Sequence, residues 1–382
     1  MNLHSLVSPE DQKVTFVELF FDLVFVFSVT QVVRLLHHDF TWLAAGQAIL
    51  VFWLVWWAWT QFTWALNAAD TTHQLIEVGV LLATAVAFFM AVALPDAFHG
   101  RAFGFAVAYV LVRVIGLVLY LLVAAVDPAQ REAVRTFSLV SVGGLVAVLI
   151  GGLLGGIWQY LFWGLAILLD VIAANVGGQA EGWNLHPEHF GERHGLFVII
   201  ALGETLIVAA GAVTGATWTN DLLMVAILAV AITCALWWSY FPQAKPMLDH
   251  ALETSHGAVQ SMMARDVFSL IHFPMLCGII AYAAAVEEAV AHPAESLALA
   301  GRLALAVGVL LFAGGMAVAQ WRATQRLAWL RIALVIVTAI AILILRDGNA
   351  LSTLTVALLG TVLIALVEQW TGKRVVAAVV HD

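Results

Sequence analysis

Apolar stretches of about 20 residues follow one another from Val14 to Trp370, with only short breaks between them. Each has the length that carries an α-helix across the ~30 Å hydrocarbon core of a bilayer. Lipid offers the backbone no hydrogen-bond partners, so a chain of this pattern must satisfy its own amides within helices. A water-exposed surface needs roughly a quarter of its residues charged. Here 16 Lys and Arg with 25 Asp and Glu make up 11% of 382 residues, and 63% are hydrophobic. A soluble globule is excluded. The formal net charge of -9, with no basic run longer than Lys373-Arg374, argues against a nucleic-acid partner.

Divided by bilayer thickness, the chain reads as an all-α, polytopic transmembrane helical bundle of about twelve helices. The spans fall at approximately 15–35, 42–65, 74–94, 102–125, 135–153, 157–176, 195–214, 221–241, 264–285, 298–319, 327–345 and 351–370. Lys13 precedes the first apolar run and no small-residue cleavage site ends it, so it reads as a membrane helix rather than a removed signal. With the N-terminus inside, Lys13, Arg131, Arg135, Arg193, Lys245, Arg265, Arg322, Arg326, Arg331, Lys373 and Arg374 fall on the cytoplasmic side. Arg34, Arg101, Arg302 and Arg346 fall outside. That bias predicts cytoplasmic termini. The cluster Trp53, Trp56, Trp57, Trp59 and Trp64 reads as an interfacial belt, and Cys234 and Cys277 as small apolar packers.

An internal repeat is visible. Phe16-Val17-Glu18 is echoed by Phe190-Gly191-Glu192, Trp56-Trp57-Ala58-Trp59 by Trp237-Trp238-Ser239-Tyr240, and Asp70-Thr71-Thr72-His73 with Glu77 by Glu253-Thr254-Ser255-His256 with Gln260. Three matches in one order predict two parallel six-helix repeats, 1–189 and 190–382, related about an axis along the membrane normal.

An ionisable side chain at bilayer depth is costly, so each one marks a candidate site. Glu18 and Asp22 are four residues apart on one helix face, which suits proton exchange or a held cation. Thr15 with Glu18 also fits a capping box. Glu204, beside Gly203, reads as a buried, partnered acid, and Arg113 needs an anion, with Asp170 and Glu77 the candidates. His73 and His256, with Glu192 and His194, form an expected cytoplasmic access ring that could relay protons or hold a divalent metal. Against that, Asp70-Thr71 and Glu253-Thr254 read as helix caps. The segment from His186 to His194 has the spacing of no zinc signature and reads as a solvated loop. His272, before Phe273-Pro274, reads as a hydrogen-bonded packer, and Asp266 and Glu368 complete the candidates.

Val14-Thr15-Phe16-Val17-Glu18-Leu19-Phe20-Phe21-Asp22-Leu23-Val24-Phe25, with Phe190-Gly191-Glu192-Arg193-His194-Gly195-Leu196-Phe197 and Ala201-Leu202-Gly203-Glu204, resembles the bacterial low temperature requirement A family over nearly the whole chain. The resemblance implies a multi-pass protein of the bacterial inner membrane linked by name to growth in the cold, without an agreed activity. Phe20-Phe21-Asp22-Leu23-Val24-Phe25 with Thr30 is also similar to the Phe-Ser-Asp signature of a potassium and proton channel family built from six-helix repeats. Here Phe21 stands where that family has Ser, and the second half has His194-Gly195-Leu196 at the matching place.

These readings predict a channel or secondary carrier for a small ion or solute, proton-linked, with no cofactor. Membrane lipids are its expected surroundings, and a homo-oligomer is open. A membrane-embedded metal enzyme acting on a lipid-like substrate and a sensor or scaffold for cold adaptation are the alternatives.

Overall fold

The computed structural model describes residues 3–9, 12–38, 41–178, 183, 185–215 and 217–380, without the side chains of 37, 38, 177, 178, 212, 215 and 371–380. The regular secondary structure of these residues is helical, apart from an isolated antiparallel bridge between Val7 and Ala69. That bridge fastens the N-terminal segment to the end of the second helix, with Ser8 N donating to Ala68 O at 3.0 Å and Asp70 N to Leu6 O at 2.8 Å.

The helices are α1 (Phe16–His38), α2 (Trp42–Asn67), α3 (Gln74–Ala93), α4 (Ala102–Ala124), α5 (Pro128–Leu154), α6 (Gly156–Gly178), α7 (Pro187–Gly215) and α8 (Asn220–Ser239), then α9 (Lys245–Glu253), α10 (Gly257–Met263), α11 (His272–Ala291), α12 (Leu299–Thr324), α13 (Trp329–Ile344) and α14 (Ala350–Val380). A π-helical turn, Tyr240–Ala244, joins α8 to α9, and another, Ala264–Ile271, joins α10 to α11. Each lies at or just before a proline, Pro242 and Pro274. A proline lacks the N–H that would close the α-turn, and a wider register accommodates the freed carbonyl. Counted through these turns, 11 helices among the described residues are long and apolar enough to cross a membrane, and Trp329–Ile344 is a shorter apolar helix.

Several expected boundaries move. α5 begins at Pro128, with Asp127 as its cap accepting from Ala129 N at 2.9 Å, and α7 begins at Pro187. Proline suits a first helical turn because its missing N–H is one the helix would leave unpaired there. The segment from His186 to His194 is therefore mostly helix, and His189, Arg193 and His194 are buried within it. The expected solvated loop is corrected accordingly. Two cations assigned to the cytoplasmic side, Arg193 and Arg331, are also buried in ion pairs, and the side chains of Lys373 and Arg374 lie outside the described set.

The chain divides into two compact units. The first comprises Met1–Leu35, Leu43–Phe197 and Leu252–Ser269, and the second Leu36–Trp42, Val198–Ala251 and Leu270–Asp382. In the first, α3 packs on α4, α4 on α5 and α5 on α6. α2 is buried over most of its length, with Trp56 and Trp59 wholly enclosed.

In the second unit α11 packs on α12, α12 on α13, and α14 on α8 and α13. Small residues let the first of these pairs approach closely, the usual device where lipid supplies no hydrophobic drive. A Cβ added at Gly278 would lie 2.7 Å from Phe312 N and 2.8 Å from Gly308 O, both backbone atoms. Gly278→Ala is therefore expected to force the helices apart and cost about 1–3 kcal/mol, the range for overpacking. A thermal midpoint equal to that of the parent protein, measured in the same detergent, would contradict this close contact.

Candidate functional site

The first unit holds a charge cluster sealed from solvent. Thr15 stands immediately before α1, and its N–H and hydroxyl both donate to Glu18 Oε2 at 2.9 Å. That is the half of a capping box in which the acid reaches back to the cap's backbone N–H, and it holds the Glu18 side chain against the first turn. Its other oxygen faces α7, accepting from Arg193 Nη1 at 3.3 Å and approaching His189 Nε2 at 3.1 Å. Capping and burial are thus both true of Glu18. One turn on, Asp22 Oδ1 accepts from Arg193 Nη2 and, at 2.7 Å, from the indole of Trp59 on α2. The guanidinium lies 5.5 Å from the Trp59 ring centroid, a cation–π arrangement.

His189 and Arg193 are four apart on α7, as Glu18 and Asp22 are on α1, so two helical stripes meet side by side. Sequence reasoning missed both α7 partners. The available signal was Pro187 as a helix start, which places the two basic side chains on one face.

The proton on His189 is fixed by its neighbours. Asn67 Oδ1 accepts from His186 N at 2.8 Å, and its Nδ2 donates to His186 O at 2.9 Å, which sets the amide orientation. The same Nδ2 lies 3.1 Å from His189 Nδ1, which must therefore accept. The hydrogen of the neutral imidazole is then on Nε2, aimed at Glu18. Two acids consequently face one guanidinium and an uncharged imidazole. Asp22 Oδ2 is buried without a hydrogen-bond partner among the described residues, as is Arg193 Nε.

His194 turns elsewhere. It is buried, its Nδ1 lies 2.9 Å from Phe190 O, and its ring meets those of Trp59 at 5.0 Å and Phe268 at 5.3 Å. Glu192 and His256 are exposed, and His73 is half-buried. The caps of α3 and α10 are His73 and His256, not the acids upstream. His73 Nδ1 accepts from Leu75 N, while Asp70 accepts from Thr72 N at 2.9 Å in a local turn. Among the described residues, no group of three or more His, Cys, Asp or Glu is placed to hold a metal ion.

Arg113, also in the first unit, is paired with Asp170 at 3.2 Å. Its guanidinium also donates to Tyr109 OH at 2.5 Å and to Gln61 Oε1, and Gln61 Nε2 returns a bond to Arg113 O at 2.9 Å. Glu77, the other expected partner, is exposed instead. With Lys13, Thr15, Asp70 and Thr72 it lines an open cleft of about 570 Å³ that reaches the cap of α1.

Glu204 belongs to the second unit, where it is buried next to Thr205. The Thr205 hydroxyl lies 2.9 Å from that of Thr233, which in turn lies 3.2 Å from Tyr282 OH. That unit also buries Arg331 with Glu368 at 2.5 Å, and His272 Nε2 with Tyr240 OH at 2.8 Å. Asp266 pairs with its neighbour Arg265 at 2.6 Å.

Membrane-length helices enclosing buried ion pairs define a multi-pass helical membrane protein. The chain belongs to the family described as bacterial low temperature requirement A protein, which it matches over residues 13–368. It is similar to an uncharacterized protein of Rhizobium meliloti (strain 1021), 31% identical over 322 residues that cover 81% of this chain and 77% of the relative. No solved structure matches it.

Proposed function

We propose that the protein transports a small ion or solute across the bacterial inner membrane, with a proton exchanged at Glu18 and Asp22. The observation that carries this reading is Asp22 Oδ2, a buried carboxylate oxygen with no partner among the described residues. Such an atom is costly inside a membrane protein unless something polar visits it. Two carboxylates against one guanidinium leave one negative charge, which one proton or one monovalent cation balances. The open cleft beside Thr15 supports access, because the Thr15 hydroxyl bonds directly to Glu18.

Around this centre the reading keeps two parallel six-helix repeats, 1–189 and 190–382, with cytoplasmic termini. Glu204 is a second transport acid, and Arg113 with Asp170 is the counter-charge pair. His73, His256, Glu192 and His194 serve the cytoplasmic approach, with Glu77 in the cleft.

Reconstitution into liposomes holding a pH-sensitive dye tests the proposal under an imposed potassium diffusion potential. Wild-type protein should carry a proton flux, and Asp22→Asn should reduce it at least about tenfold, a barrier change of about 1.4 kcal/mol. The elution profile should be unchanged. Equal flux in the two proteins removes Asp22 from the mechanism, and no flux in either removes proton-linked transport.

A further inference from the structure

A second cavity, also within the first unit, is walled by Trp64, Phe137 and Trp183. The Trp183 ring stands 5.2 Å from Trp64 and 6.3 Å from Phe137 by centroids, in edge-to-face contacts, and 5.8 Å from Tyr120. Its inner volume is about 40 Å³, and Thr60 and Tyr120 are among its lining residues. Both residues are buried, at 2% and 1% exposure, and neither hydroxyl has a hydrogen-bond partner among the described residues. Buried tyrosines ordinarily find one. Of the other polar groups in the lining, Ser269 Oγ accepts from Trp64 Nε1 at 3.0 Å, and Gln61 is held at both ends by Arg113.

Charge decides the class of occupant. Arg265 is the charged residue among those lining the cavity, and Asp266 neutralises it at 2.6 Å. An anion meets no unpaired cation there, and an ammonium meets no acid. We propose that the cavity binds an uncharged, lipid-soluble alcohol or phenol. Its hydroxyl sits between Thr60 and Tyr120, accepting from one and donating to the other, and its hydrocarbon part lies against Trp64, Phe137 and Trp183. Water can satisfy the two hydroxyls, but it leaves the aromatic walls uncovered. A hydroxyl head on an apolar body matches both features at once.

The full-length protein in lipid nanodiscs can be photolysed with an alkyl-diazirine analogue of octanol and the adducts mapped by mass spectrometry. The expected result is labelling of peptides carrying Tyr120, Phe137 or Trp183, suppressed by excess octanol. It should fall about tenfold in Thr60→Val/Tyr120→Phe, which keeps the shape of the cavity and removes its hydrogen bonds. The variant should elute and melt like the parent. Absence of labelling there means a cavity that holds only water and overturns the proposal. So does labelling that octanol does not suppress, or labelling equally strong in the double variant. The result is independent of proton flux, since neither hydroxyl belongs to the Glu18 and Asp22 cluster.

Discussion

Arg193→Met is expected to lower stability by about 3–5 kcal/mol, the cost of removing one partner from a buried ion pair. The effect is large because one guanidinium serves two acids, Glu18 and Asp22, and both are sealed from solvent. Trp59 still donates to Asp22 and Thr15 still donates to Glu18, but neither supplies a positive charge. Adding Glu18→Gln and Asp22→Asn to the variant should recover more than half of the loss, since the uncompensated charge is then gone. Denaturing-detergent titration of the purified protein measures both effects. A single variant within about 0.5 kcal/mol of the parent, as is usual for a surface substitution, would sink the claim that this cluster is a sealed ion-pair core.

Arg113→Met should be comparably damaging, again about 3–5 kcal/mol, because it strands Asp170 among apolar and indole neighbours. Its guanidinium also anchors Tyr109 and Gln61, so more than one hydrogen bond is lost with it. Asp170→Asn should cost less, since Arg113 keeps those two partners. The double variant Arg113→Met/Asp170→Asn should be more stable than the sum of the single losses by about 0.5–3 kcal/mol, the coupling typical of groups in direct contact. Strict additivity would mean the two side chains do not interact.

The helical class was readable from apolar run length, since lipid leaves the backbone little alternative. Glu18, Asp22 and Asp170 were also legible as candidates, because an acid inside such a run is conspicuous. Their partners were less so. His189 and Arg193 stood at the edge of a run, in a polar stretch that composition reads as loop, and the start of α7 at Pro187 turns that stretch into a helix face. Arg331 looked like a cytoplasmic charge for the same reason, yet it is buried with Glu368. A span ruler measures apolar length, and a helix that begins in polar residues and buries them against a neighbour escapes it. The cavity at Thr60 and Tyr120 left no trace in the sequence, because neither residue is unusual in a membrane helix until its hydroxyl proves to lack a partner.

The sequence by itself determined that this chain is a many-helix membrane bundle and that a few acids stand inside it. Those facts follow from hydrogen bonding and hydration, which act along one segment at a time. Only the tertiary structure decided that Arg193 serves both Glu18 and Asp22, that His189 turns its Nε2–H to Glu18, and that Asp22 Oδ2 is left without a partner among the described residues. Pairing between side chains on different helices depends on rotation and register, and apolar faces that look alike to lipid do not specify them.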